Sequence, residues 1–265
     1  MSARTPVTVS LAERRLGRLV IGYSAVAAVL VAWEVVGRTS GTGLIPPVSD
    51  ALAEVWALVS GPRLVGDVLP SVLRIIAGFV AGSVVGIVLG ILIGYFRGLE
   101  PWARPLLEFL RAIPPPALLP IAVLVLGATD AMRVTVIAVG AFWPVLLSAT
   151  DGTRRVEPGY LDVARVSGLG SVQTLRRVVL PAALPMIASG LRTALGIALV
   201  MMVISEMVAA SAGLGYFVLQ SQRTYALASM YAGIIVLGLL GWMMTVMFLA
   251  VERRLLGWYE GQKGR

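Results

Sequence analysis

The chain has 265 residues, 58% hydrophobic and 14% charged, with a mean hydropathy of +0.88, which is too little polar surface for a soluble globule and enough apolar length for several bilayer spans. It contains neither cysteine nor histidine, which excludes disulfides, thiolate or imidazole metal sites and His-dependent acid–base catalysis. The net charge of +8 reads as membrane topology and not as a nucleic-acid partner, because its cations gather on one side of the predicted spans.

From the N-terminus, MSARTPVTVSLAERRLGRLV lacks a small-residue cleavage site after a short apolar core, so it is expected to lead into a retained signal-anchor span. Apolar stretches at 19–36, 69–96, 106–127, 134–150, 184–210 and 231–251 each approach the roughly 20 residues that a hydrocarbon core requires. The expected fold is an all-α polytopic membrane protein with six transmembrane helices. With the N-terminus inside, the inner segments collect Arg4, Arg14, Arg15, Arg18, Arg97, Arg104, Arg154, Arg155, Arg165, Arg176, Arg177, Arg253, Arg254, Lys263 and Arg265. The outer segments then hold Arg38, Arg63, Arg133 and Arg223, an asymmetry that satisfies the positive-inside rule and places both termini in the cytoplasm. The division is expected at 1–66 for the tail, first span and an external helix, 67–258 for the core with its cytoplasmic loop at about 152–182, and 259–265 for a cytoplasmic tail.

After the first span, Pro46-Pro47 precedes Ser49 and Asp50, either of which can cap, and Leu52, Val55, Trp56 and Val59 recur at the spacing of one apolar helical face. This helix is expected to lie on the outer membrane surface. The second span places Gly78, Gly82, Gly86, Gly90 and Gly94 four residues apart. Such a ridge lets another backbone approach closely; static packing and sliding between helices both remain open readings of it.

Between the fourth and fifth spans, DVARVSGLGSVQTLRRVVLP is polar and rich in arginine. Pro158 suits a first helical turn, Leu161, Ala164 and Val166 offer apolar contacts, and Gly168 and Gly170 can reverse the chain. Ser171 can cap a second helix, in which Val172, Leu175, Val178 and Val179 share a face, and Pro181 is expected to stop it before the fifth span. A lever gripped by another protein and a basic helix resting on anionic lipid both fit this pattern.

Charges inside apolar spans mostly face a bundle interior, so Glu34, Glu108, Arg111, Arg192 and Glu206 are candidates for the translocation pathway. Arg192 and Glu206, almost four turns apart, share a helix face, and Met201, Met202 and Met207 offer a flexible lining. Structural pairing is the alternative, with Glu108 and Arg111 neutralising each other at i and i+3. Near the C-terminal end, the aromatics of LGYFVLQSQRTYALASM fit an interfacial belt or a docking surface for an extracytoplasmic partner.

The insert resembles the coupling loop of ABC-importer permeases, written EAA, three residues, G, nine residues, I, any residue, LP. Asp162 stands for Glu, Val163 and Ala164 for the alanines, and Val178 for Ile, with Gly168, Leu180 and Pro181 as in the motif and Arg165 and Gly170 beside them. PSVLRIIAGF, LRAIPPPALLP, GLR at 190–192, Glu206 and GLG at 213–215 extend the similarity to the sulfonate, nitrate and taurine branch. The resemblance implies a type I, methionine-importer-like permease fold in a bacterial inner membrane. It also implies a homodimer, two cytoplasmic ATPase subunits that hold the ATP and Mg, a solute-binding protein outside, and an anionic solute. No GxxxxGK[ST] occurs, so ATP is expected on the partner and no cofactor here. A secondary transporter or channel would call for coupling acids and an internal repeat, and a membrane enzyme for convergent nucleophiles or carboxylates; the sequence offers little of either. A permease of the same family for a pyrimidine or other small nutrient stays open.

Overall fold

Hydrocarbon offers backbone N–H and C=O groups no water, so long apolar runs must fold as helices. The computed structural model describes the backbone of residues 11–41 and 43–263 and the side chains of residues 24–257 other than 42, 97 and 100, and among these residues its regular elements are helical. Arg4, Arg14, Arg15, Arg18, Arg97, Lys263 and Arg265, which carry part of the orientation argument, lie outside the described side chains.

Among the described residues eleven α-helices follow in order: α1 (Leu11–Thr39), α2 (Val48–Ser60), α3 (Leu69–Tyr95), α4 (Glu100–Arg111), α5 (Leu119–Leu126), α6 (Asp130–Arg154), α7 (Pro158–Val166), α8 (Ser171–Thr174), α9 (Leu180–Ala209), α10 (Leu214–Arg223) and α11 (Leu227–Lys263). Among the described residues, four helical stretches are long and apolar enough to cross a bilayer: Leu64–Tyr95, Asp130–Arg154, Ser171–Ala209 and Leu227–Gly257. The first expected span falls on α1.

The expected third span, 106–127, is not one helix. It divides into Pro101–Arg111 and Pro115–Leu126, bent by 81°, because Pro114, Pro115 and Pro116 remove three successive donors and fix φ at the join. The chain nevertheless crosses here. A Cβ on Gly78 would meet Ile137, on Gly86 Val145, on Gly90 Ala149 and on Gly94 Thr153, and since both series climb together, α3 and α6 run parallel. Residues 96–129 must therefore carry the chain back across the bundle.

The glycine ridge is the seam of that parallel pair. All five glycines are buried, a Cβ on Gly90 would lie 2.6 Å from the Ala149 Cβ, and one on Gly82 would collide with the Ala138 carbonyl. α9 packs antiparallel on α6, where Gly190 meets Pro144 and Ser148 while Gly140 meets Met201. α11 runs antiparallel to α9, joined by Gly241 against Leu199 and by Arg192 to Glu252. Ile75, Met132, Ile137, Val145, Met201 and Met202 fill the shared core.

Pro181 does not end the second helix of the insert. α8 continues through a π-turn at Leu175–Val179 into α9, giving 39 unbroken helical residues from Ser171 to Ala209. A π-turn widens the coil just where proline lacks its N–H, so the missing bond is absorbed without a break. The same device stands before Pro70, at Leu64–Val68.

α2, expected on the outer membrane surface, docks one of its faces on the bundle. Ala51 and Leu58 are buried while Leu52 and Trp56 face outward, and Ser229 at the start of α11 donates to Glu54 at 3.0 Å. Neither Ser49 nor Asp50 caps it; Pro47 holds that position, and Ser49 donates through both its N–H and hydroxyl to Glu34, each at 3.0 Å. Trp33 and Tyr231 meet at 5.7 Å, which places the end of α1 beside the start of α11. The start of α1 and the end of α11 thus lie at the end of the bundle that carries the insert.

Candidate functional site

The two ends of the Ser171–Ala209 rod carry the polar chemistry. At the end that carries the insert, expected to be the inner one, α6 finishes at Arg154 and α7 begins at Pro158, whose absent N–H costs nothing in a first turn. α7 closes with Leu169 N–H donating to the Ala164 carbonyl (3.0 Å) and Gly168 N–H to that of Arg165 (3.0 Å). Gly168 makes the reversal at φ +71°, a left-handed conformation that a branched side chain resists. Gly170, and not Ser171, occupies the N-cap of α8, and its N–H reaches the Gln173 side chain at 3.4 Å.

Ala164 is buried, Leu180 and Pro181 are half-buried, and Asp162, Arg165, Gly168 and Gly170 are exposed. Asp162 and Arg165 pair with each other at 3.0 Å across solvent. Val166, which offers an apolar contact, and Val172, on the apolar face of the second helix, are 90% and 78% exposed. Tyr160 and Val163 join them. Apolar side chains thus point away from the protein's own core at the tip of the insert, beside exposed Arg176 and Arg177.

At the opposite end, expected to be the outer one, Glu206 is wholly buried. Its carboxylate accepts from Arg74 Nη1 (2.7 Å), Ser71 Oγ (2.8 Å) and Gly215 N–H (2.9 Å). Arg74 also donates to Asp130 at 2.9 Å and to the Ala212 carbonyl at 2.9 Å, while Arg133 binds Asp130 at 2.6 Å and reaches the Ala209 carbonyl. Three successive amides at the start of α10 are satisfied from outside it: Gly213 by Asp67 (3.0 Å), Leu214 by Ser71 (2.8 Å) and Gly215 by Glu206. Gly213, at φ +127°, lies so close to Glu206 that a Cβ would sit 2.5 Å from the carboxylate. This clamp joins α3, α6, α9 and α10. Phe217 and Val218 of α10 are buried, so that part of the expected aromatic belt is core, whereas Tyr225 is exposed.

The residues singled out for a pathway disperse. Glu206 and Met202 are enclosed in the clamp and core. Arg192 donates through Nη2 to both oxygens of Glu252, at 2.6 and 2.8 Å, and opens on a cleft of 1170 Å³ at the inner end between α9 and α11. Arg111 is exposed at the bend after α4. It does not pair with Glu108, which Arg104 engages at 3.1 Å, and Glu34 pairs with Arg38 at 2.6 Å. Arg74, Ser71, Asp67 and Asp130 were missed as site residues. Arg74 was legible: it stands six residues into an apolar stretch, and a buried Glu206 requires a cation. No group of three or more metal-ligating side chains occurs among the described residues.

Residues 63–257 match the model of the binding-protein-dependent transport system inner membrane component family. A probable ABC transporter permease protein of Brucella abortus (strain 2308) is 32% identical over 246 residues, covering 93% of this chain and 98% of the relative. A putative aliphatic sulfonates transport permease protein of Bacillus subtilis (strain 168) is 33% identical over 241 residues, covering 90% and 87%. The methionine ABC transporter in an inward-facing conformation superposes with a TM-score of 0.62 at 20% identity, over 73% of this chain and 95% of that one.

Proposed function

The chain belongs to the binding-protein-dependent transport system inner membrane component family, and on that premise we propose that it is the pathway-forming subunit of an ATP-driven importer for a small anionic solute such as a sulfonate, taurine or nitrate. The observation that carries this reading is the insert itself: a matched motif whose apolar side chains Tyr160, Val163, Val166 and Val172 face outward at the foot of a 39-residue helix. Such a surface requires a partner. The partner is a cytoplasmic ATPase, one on each of two permease copies, since this chain has no phosphate-binding loop of its own. Closure of the ATPases on ATP displaces the insert, and the continuous helix carries that displacement to the clamp at the other end.

The pathway runs beside the bend between α4 and α5. Interrupted backbone at membrane depth must be covered by protein or line a polar cavity, and Ile121, Leu124 and Val125 of α5 face away from the chain's own core. A second copy covers that face, and Arg111 at the bend supplies a cation for the anion. The outer hollow of 340 Å³ beside α10, lined by Arg63, Tyr216 and Gln220, receives the binding protein; the membrane is the inner membrane, with both termini in the cytoplasm.

Single cysteines test this directly, because the chain contains none. Val166→Cys and Val172→Cys should cross-link to a cysteine introduced in the ATPase cleft, and Arg63→Cys should not. Absence of cross-linking at both insert positions in an intact complex would remove the coupling assignment.

A further inference from the structure

The cleft at the inner end has an unusual wall. Arg155, Arg177 and Arg253 stand exposed around it and make no ion pair with a described residue. Glu252 is occupied by Arg192 at 2.6 Å, so with Glu157 the acidic and basic side chains of the wall leave a surplus of positive charge. The rest of the wall is apolar, with Met186 and Pro185 from α9 and Leu249 and Leu256 from α11. Beside it, Met247 and Val251 of α11 are exposed.

We propose that this cleft is a binding site for an anionic phospholipid. Its phosphate lies among Arg155, Arg177 and Arg253, and an acyl chain lies along Met186, Leu249 and Leu256. A basic pocket between spans on the cytoplasmic side has the charge and depth to hold such a headgroup. The apolar half of the wall decides against a small hydrated oxyanion, which gains nothing from it. The Arg192–Glu252 pair closes the inner limit of the site, so the lipid bridges α9 and α11 at the level where α9 passes into the insert.

The test is titration of the purified, delipidated protein with short-chain phosphatidylglycerol and phosphatidylcholine, and separately with inorganic phosphate and methanesulfonate. Bound lipid is read by native mass spectrometry and stabilisation by the thermal midpoint. Phosphatidylglycerol should bind and raise the midpoint, with phosphatidylcholine inert and any response to either free anion independent of Arg155, Arg177 and Arg253. Replacing Arg155, Arg177 and Arg253 with Gln together should weaken phosphatidylglycerol binding by about fivefold for each arginine removed, with Arg63→Gln on the outer face unchanged. If the triple variant does not fold, Arg253→Gln alone should show the single fivefold loss. Undiminished binding in the arginine variants, equal loss in Arg63→Gln, or a stabilisation by phosphate or methanesulfonate that matches that by the lipid and falls with the same three arginines would each overturn the proposal.

Discussion

At the outer end of the long helix, Glu206 is wholly enclosed and shares its carboxylate among a guanidinium, a hydroxyl and a backbone amide; at the inner end the insert's Asp162–Arg165 pair is open to solvent on both sides. The same rod is therefore anchored at one end and unpartnered at the other. Buried charge is costly unless fully bonded, and once bonded it locks geometry, whereas an exposed pair contributes little. The difference teaches where a partner has room to act: the tip of the insert presents side chains that this chain leaves exposed, whereas at the clamp α3, α6, α9 and α10 are bonded into one body.

The largest effect is expected from breaking the anchored end. Arg74→Met leaves Glu206 buried without its cation, and loss of one partner of a buried pair costs about 3–5 kcal/mol. Thermal unfolding of the purified protein should show a large fall in midpoint, and a fall no greater than that of a surface variant would refute the clamp. Next is the glycine seam, which holds two of the clamp's helices. Gly90→Val sets a Cβ where Ala149 now packs, 2.6 Å away, and overpacking of this kind costs roughly 1–3 kcal/mol; a midpoint equal to that of the parent would show that α3 and α6 can separate freely.

At the open end the expected costs are smaller and the functional consequence larger. Gly168→Val imposes a left-handed φ on a branched residue, a local cost of about 1–2 kcal/mol, and apart from the adjoining residues nothing lies within 4 Å of the new Cβ. The thermal midpoint should fall only slightly while ATP-driven uptake in proteoliposomes is lost; normal uptake would remove the turn from the coupling surface. The smallest effect is expected at Asp162→Asn, which loosens an exposed pair contributing roughly 0.2–1 kcal/mol. Its midpoint should be indistinguishable from the parent's, and a shift as large as that of Arg74→Met would abolish the contrast between the two ends.

Helical character, the approximate positions of four spans, the close-packing ridge and the polar insert were all legible in the residue pattern, because each depends on local composition and on periodicities fixed by backbone geometry. The bend in the third span was signalled by Pro114, Pro115 and Pro116, yet its apolar length spoke for a continuous helix. Pro181 misled in the opposite direction. A proline normally ends a helix, and only the π-turn before it, stabilised by the packing of Val179 and Ala183, lets the coil run on.

Partnership between distant residues is where tertiary structure decided. Nothing in the separation of 132 residues between Arg74 and Glu206 specifies that they meet, and spacing along one helix put Arg192 and Glu206 on a common face without revealing their different neighbours. Periodicity determines which residues share a face of one helix. Which helix covers that face depends on the parallel seating of α3 against α6 and the antiparallel return of α9 along α6, and from that arrangement follow a buried clamp at one end and an exposed insert at the other.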